Sequence, residues 1–144
     1  MIKKLIGGIL VIGVIGVVLG GGSDDTPTTS SEPVQETSRC VNAPSELLNT
    51  ISEGDGFQLK NGKAVKSSAF AQAYYVSAEF TNSGNLGIDG EVGTWLVAGE
   101  LNDYSYIEGV GGYGEEYSSW GSNITDKQGS AYDDGYSESR DCVK

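Results

Sequence analysis

AQAYYVSAEFT, residues 71–81, sets Tyr74, Val76, Ala78 and Phe80 at alternate positions, with Ala73, Tyr75, Ser77 and Glu79 between them. A strand turns successive side chains to opposite faces, so this period of two predicts a β-strand whose Tyr74, Val76, Ala78 and Phe80 face a core. Turn-forming residues follow at Asn82-Ser83-Gly84-Asn85 and Asp89-Gly90, and then EVGTWLVAGELN, residues 91–102. This second stretch reads as the next strand, antiparallel to the first, with Trp95 and Val97 on one face and Thr94, Leu96 and Ala98 on the other. Apolar groups on both faces predict a central strand covered on each side.

Outward from this pair, Tyr104–Val110 is a third strand candidate, with Tyr106 alternating against Ile107. Upstream, Phe57–Lys60 and Ala64–Ser67 flank Asn61-Gly62, a dipeptide that predicts a hairpin turn. Lys60, Lys63 and Lys66 in that hairpin are half of the six bases between Cys40 and Lys144. Lysines blunt an exposed sheet edge against aggregation; the same cluster on an acidic body also suits anionic lipid or cell-wall polymer.

Short helices are expected around the strands. Ala43-Pro44-Ser45-Glu46 opens one, with proline tolerated in the first turn and an acid near the positive end of the dipole. Leu47, Leu48 and Ile51 share its inner face, and Gly54 ends it. After Gly111-Gly112 the spacing of Tyr113, Tyr117 and Trp120 is helical, which predicts a short helix or turn over Gly114–Trp120. Ser122–Ser130 reads as loop. Asp133-Asp134-Gly135 predicts the cap of a last helix, Gly135–Cys142.

Cys40 and Cys142 are the only cysteines, and they bracket all of these elements. In an exported chain an isolated pair forms a disulfide, here one that pins the last helix beside the first. Closing a loop of about 100 residues stabilises a fold by up to about 4 kcal/mol in the chain-entropy model.

The compartment follows from the N-terminus. Lys3 and Lys4 precede Leu5–Gly22, 18 residues of Leu, Ile, Val and Gly alone, and the first acids are Asp24 and Asp25. At about 1.5 Å per helical residue the run reaches about 27 Å, close to the hydrocarbon thickness of a bilayer. Lysines before the run put the N-terminus inside and the rest outside. Residues 1–22 therefore read as a transmembrane anchor, or alternatively as a signal peptide cleaved near Gly22, although no Ala-x-Ala exit site is present. Residues 23–39, SDDTPTTSSEPVQETSR, are too poor in apolar groups to offset the entropy of ordering and read as a disordered linker. Residues 40–144 make one small domain. The fold class is α+β: an antiparallel sheet of three to five strands with short flanking helices, closed by one disulfide.

This plan of apolar anchor, Ser/Thr/Pro tether, short helix, YYVSAEF, GTWLV and a tail ending in ESRDC resembles small uncharacterised envelope proteins of Gram-positive actinobacteria. The resemblance implies location and architecture and brings no functional residues.

The chemistry available is narrow. The chain has no histidine, hence no histidine base or metal ligand, and no phosphate-cradling or dinucleotide fingerprint is present. Carboxylate pairs remain, with Glu79, Glu91, Glu100 and Glu108 as candidates for glycoside hydrolysis, but an acid on a strand is far more often a solvated face. Asn85 to Asp89-Gly90 and Asp133-Asp134-Gly135 resemble fragments of a calcium loop without its final glutamate, and read as turns. Neither a metal nor a cofactor is expected. Beyond Lys3 and Lys4 the chain carries seven bases against 20 acids, a net charge of −13 that repels nucleic acid.

Eight tyrosines and two tryptophans suit a surface apolar in body and polar at the tip. Tyr113, Tyr117 and Trp120 are the candidate binding patch, with a role in capping one end of the sheet as the competing reading. The expected function is a membrane-tethered extracytoplasmic binding module that is not an enzyme. It meets the membrane through residues 5–22 and an unidentified protein or envelope polymer through its domain. A secreted effector or inhibitor, released after cleavage, is the alternative.

Overall fold

The computed structural model describes residues 38–121 and 126–144. The apolar segment, residues 1–22, the linker as far as residue 37, and residues 122–125 of the expected loop lie outside the described residues. Among the described residues no helix is long and apolar enough to cross a membrane.

In chain order the elements are β1 (Val41–Asn42), α1 (Ser45–Ser52), β2 (Gln58–Lys66), β3 (Ala73–Thr81), β4 (Val92–Glu100), β5 (Asp103–Gly109), α2 (Gly112–Tyr117) and α3 (Asp134–Asp141). The strands form one five-stranded sheet in the order β1-β2-β3-β4-β5. Each strand pairs antiparallel with its sequence neighbour, so every connection is local. β3 and β4 are aligned by Val76 opposite Trp95 and Tyr74 opposite Val97.

The alternation read from residues 71–81 sorts side chains to two covered faces. Val76, Ala78 and Phe80 join Trp95, Val97 and Ile107 in the main core, which α1 closes with Leu47, Leu48 and Ile51. Leu47 and Ile51 are completely buried, and burying each such side chain contributes about 1.5–3 kcal/mol. Ala73, Tyr75 and Leu96 face the other way, in a smaller cluster with Val110, Phe70 and Tyr136 of α3. β4 is buried on both sides, as its apolar run predicts.

Two expectations are corrected. Asn61-Gly62 makes no hairpin: β2 runs unbroken through it, and the pairing with β3 slips by one residue between Lys60 and Lys63. Asn61 takes φ 54°, the left-handed conformation that asparagine tolerates, and the dipeptide is spent on a β-bulge inside one strand. The disulfide does not set α3 beside α1. α1 lies on the Val76 face, while Ser139 of α3 bonds Ser77, whose side chain points to the opposite face. Cys40 precedes β1 and Cys142 follows α3, and their bond, with Cα atoms 6.1 Å apart, reaches around the β1–β2 side of the sheet.

The cap of α3 is as predicted: the Asp133 side chain accepts from the Gly135 amide at 2.9 Å. The same carboxylate accepts from the Ser67 hydroxyl at 2.9 Å, which ties the helix start to the turn after β2.

Candidate functional site

The GGYG segment lets α2 lie backbone against backbone on β4. A Cβ on Gly114 would come within 2.4 Å of the Thr94 carbonyl oxygen, so only glycine permits the approach. β5 stops at Gly109, and the Val110 amide continues the ladder by donating to Thr94 O at 2.9 Å. This seat brings Tyr113 and Tyr117 over the end of the main core. Their rings stack with centroids 5.8 Å apart and an interplanar angle of 22°, and Tyr113 meets the Phe80 ring edge-on at 6.4 Å.

Trp120 lies past the end of α2, because Ser118 adopts an extended conformation. Its indole Nε1 donates to the Ile51 carbonyl at 3.0 Å, fastening the segment to α1. Ser118 accepts from the buried Trp95 indole at 3.0 Å, and Asp55 accepts from the Ser119 amide at 2.9 Å. All three aromatic residues singled out in the sequence thus share one shelf, half-buried against the core. The neighbouring Glu116 charge holds the Tyr117 phenol above its ordinary range.

The four glutamates are not gathered in one cleft. Glu79, opposite Val92 at the start of β4, pairs with Lys60 Nζ at 2.8 Å and accepts from Asn61 Nδ2 at 3.1 Å, contacts that hold its carboxyl below the usual range. Glu91 precedes β4, and Glu100 lies at the far end of that strand, opposite Asp103.

Glu108 is the residue that sequence reasoning misplaced. It is completely buried, and its oxygens accept from the Tyr106 hydroxyl and from the amides of Gln128 and Gly129. Burial, reinforced by the Glu108 carboxylate, pushes the Tyr106 phenol up to about 12. Next to this contact the Tyr75 hydroxyl accepts from the Ser130 amide at 3.0 Å. The acid therefore anchors the returning 126–130 segment. The signal available in the sequence was its position in alternation with Ile107 on a strand opposite apolar Leu96.

Under α3 a second polar seam joins Ser77 Oγ to Thr94 Oγ1 at 2.9 Å and to Ser139 Oγ at 2.7 Å. Arg140 closes it by donating to Thr94 Oγ1 at 3.2 Å and to the Val92 carbonyl at 2.9 Å. Asp89, a member of the calcium-like fragment, accepts from the Ser83 amide at 2.8 Å, which lowers its carboxyl. Among the described residues no group of three or more acids or cysteines is arranged to hold a metal ion.

Compared with models of known protein families, with curated proteins and with solved structures, the chain matches none.

Proposed function

We propose that this chain is a membrane-tethered extracytoplasmic binding module that performs no chemistry, held by residues 5–22 with its N-terminus inside and its domain outside. The observation that carries the reading is the Cys40–Cys142 bond. Structural disulfides persist in oxidising compartments, and the apolar run behind Lys3 and Lys4 supplies the route out of the cytoplasm.

The Tyr113–Tyr117–Trp120 shelf is the binding face. Its rings are already fixed by stacking and by the Trp120 bond to Ile51, so a partner has little side-chain freedom left to order. Tyrosine and tryptophan also offer apolar area beside a polar tip, which suits a protein or a glycan polymer of the envelope.

Membrane fractionation with mass spectrometry of the N-terminus tests the reading. An intact N-terminus in the membrane fraction, with both thiols blocked, is the expected result. A start near Ser23 in the medium would replace it with the secreted effector or inhibitor, and a cytoplasmic protein with free thiols would overturn both.

A further inference from the structure

Lys60 and Lys63 are three positions apart, a spacing that sends side chains to opposite faces of a regular strand. The bulge at Asn61-Gly62 alters this. Lys60 lies opposite Glu79 and Lys63 opposite Ser77, so the extra residue returns both lysines to the face that α3 covers. Together with Asn42, Asn61 and Lys144, which follows α3, they line an open groove of about 640 Å³ that lies at the β1–β2 edge and is walled on its other side by Ser45 and Leu48 of α1. No aspartate or glutamate lines it.

The three ammonium groups differ in what holds them. Lys60 meets Glu79 at 2.8 Å and Lys144 meets Asp141 at 2.7 Å, both at the surface, while Lys63 meets only the neutral Asn42 Oδ1 at 2.7 Å among the described residues. Exposed ion pairs are weak and exchange readily, so all three cations can turn to an incoming anion. Cys142 also lines the groove and is bonded to Cys40, the first residue after the linker. The 17 linker residues span at most about 60 Å, which keeps any bilayer holding the apolar segment within reach.

We propose that the Lys60–Lys63–Lys144 groove seats the phosphate of an anionic lipid headgroup on the bilayer that holds residues 5–22. The inference rests on the membrane-tethered reading and adds a ligand to it. Glu79 and Asp141 offset two of the three cations, so Lys63 leaves these side chains one net positive charge. Screening confines each charge to about 10 Å, and on a chain that is otherwise strongly acidic this groove is where a negative surface meets attraction. Lys66, opposite Tyr74 on the other face, takes no part.

The test uses the full chain in nanodiscs of neutral phosphatidylcholine, or of the same lipid mixed with phosphatidylglycerol. Lysine acylation is then mapped by mass spectrometry. Labelling of Lys60, Lys63 and Lys144 should fall about three-fold in the anionic discs and recover at high salt, while Lys66 and Lys127 are unchanged. In the Lys60→Gln/Lys63→Gln variant, Lys144 should label equally in both discs. Equal labelling of the wild-type groove in both discs overturns the lipid assignment and leaves the tether standing. A chain that inserts into neither disc overturns the membrane reading and the groove with it. Inorganic phosphate added to neutral discs provides the last arm: protection by free phosphate at micromolar concentration would mean a soluble anion is the ligand and overturn the lipid source.

Discussion

Cys40 and Cys142 are 102 positions apart in sequence and 6.1 Å apart at Cα, joined around the β1–β2 side of the sheet. β1 is only Val41–Asn42 and pairs with Ala64 and Lys63, so by itself it holds the start of the domain weakly. The bond therefore carries much of that attachment. Replacing both cysteines by serine should lower the unfolding free energy by about 3–4 kcal/mol. Urea denaturation of wild type and variant measures it; equal midpoints would show that the bridge constrains nothing.

Glu108 gives a sharper prediction, because its partners are backbone amides that cannot turn to other acceptors. Glu108→Ala strands the Gln128 and Gly129 amides and the Tyr106 hydroxyl, and should cost about 3 kcal/mol. Glu108→Gln keeps a carbonyl acceptor and should cost about half as much. Amide exchange at Gln128 and Gly129 should accelerate in both variants. Glu100→Ala, at an exposed strand end, should stay within about 0.5 kcal/mol of wild type.

What the sequence made legible is local chemistry. The period of two in β3, the doubly apolar β4, the Leu47–Leu48–Ile51 face and the Asp133 cap each follow from neighbours a few positions away. Asn61-Gly62 was misread because the dipeptide encodes a left-handed backbone position, which a hairpin turn and a bulge use equally. Which one forms depends on β3, which pairs with both halves of β2. Likewise, two cysteines say which residues meet but not which face of a sheet each helix covers. Glu108 looked solvated because its cover comes from residues 128 and 129, about 20 positions later. The aromatic shelf was legible as a group, while its division between core and surface depends on α2 seating against β4.

Alkaline pH should act through tyrosine. The folded chain keeps the Tyr106 proton up to about 12, whereas the unfolded chain releases it near the ordinary value of 10.0. Between these values the unfolded state binds fewer protons, so the stabilisation is complete below about pH 10 and is lost as pH rises toward 12. Tyr75, also raised chiefly by burial, acts in the same direction. Allowing for the partial exposure of Tyr106, its share is about 1–2 kcal/mol. Thermal unfolding from pH 9 to 12 should show a steeper fall in Tm for wild type than for Tyr106→Phe, and parallel slopes would contradict the assignment.

The aromatic shelf should separate packing from contact. Trp120→Ala removes both core contact and the bond to Ile51 O, and should cost about 3 kcal/mol. Tyr132, 99% exposed, should be silent as alanine. A photo-crosslinking residue at Tyr117 should capture an envelope component in intact cells, and the same probe at Tyr132 should not. The reverse pattern would move the binding face away from α2.

Gly114 and Gly112 distinguish close approach from backbone strain within a single short helix. Gly112 has φ 53° and nothing within 4 Å of a built Cβ, so Gly112→Ala should cost only the left-handed conformation, about 1 kcal/mol. At Gly114 the obstruction is the Thr94 main chain at 2.4 Å, which cannot move without breaking β4 from its neighbours. Gly114→Ala should therefore lift α2 off the sheet, cost more than about 3 kcal/mol and expose the Trp95 indole, whose bond to Ser118 depends on that seating. Tryptophan fluorescence should shift to the red in Gly114→Ala and stay unchanged in Gly112→Ala. Equal destabilisation of the two variants, without a spectral shift, would mean that α2 contributes conformational strain rather than packing.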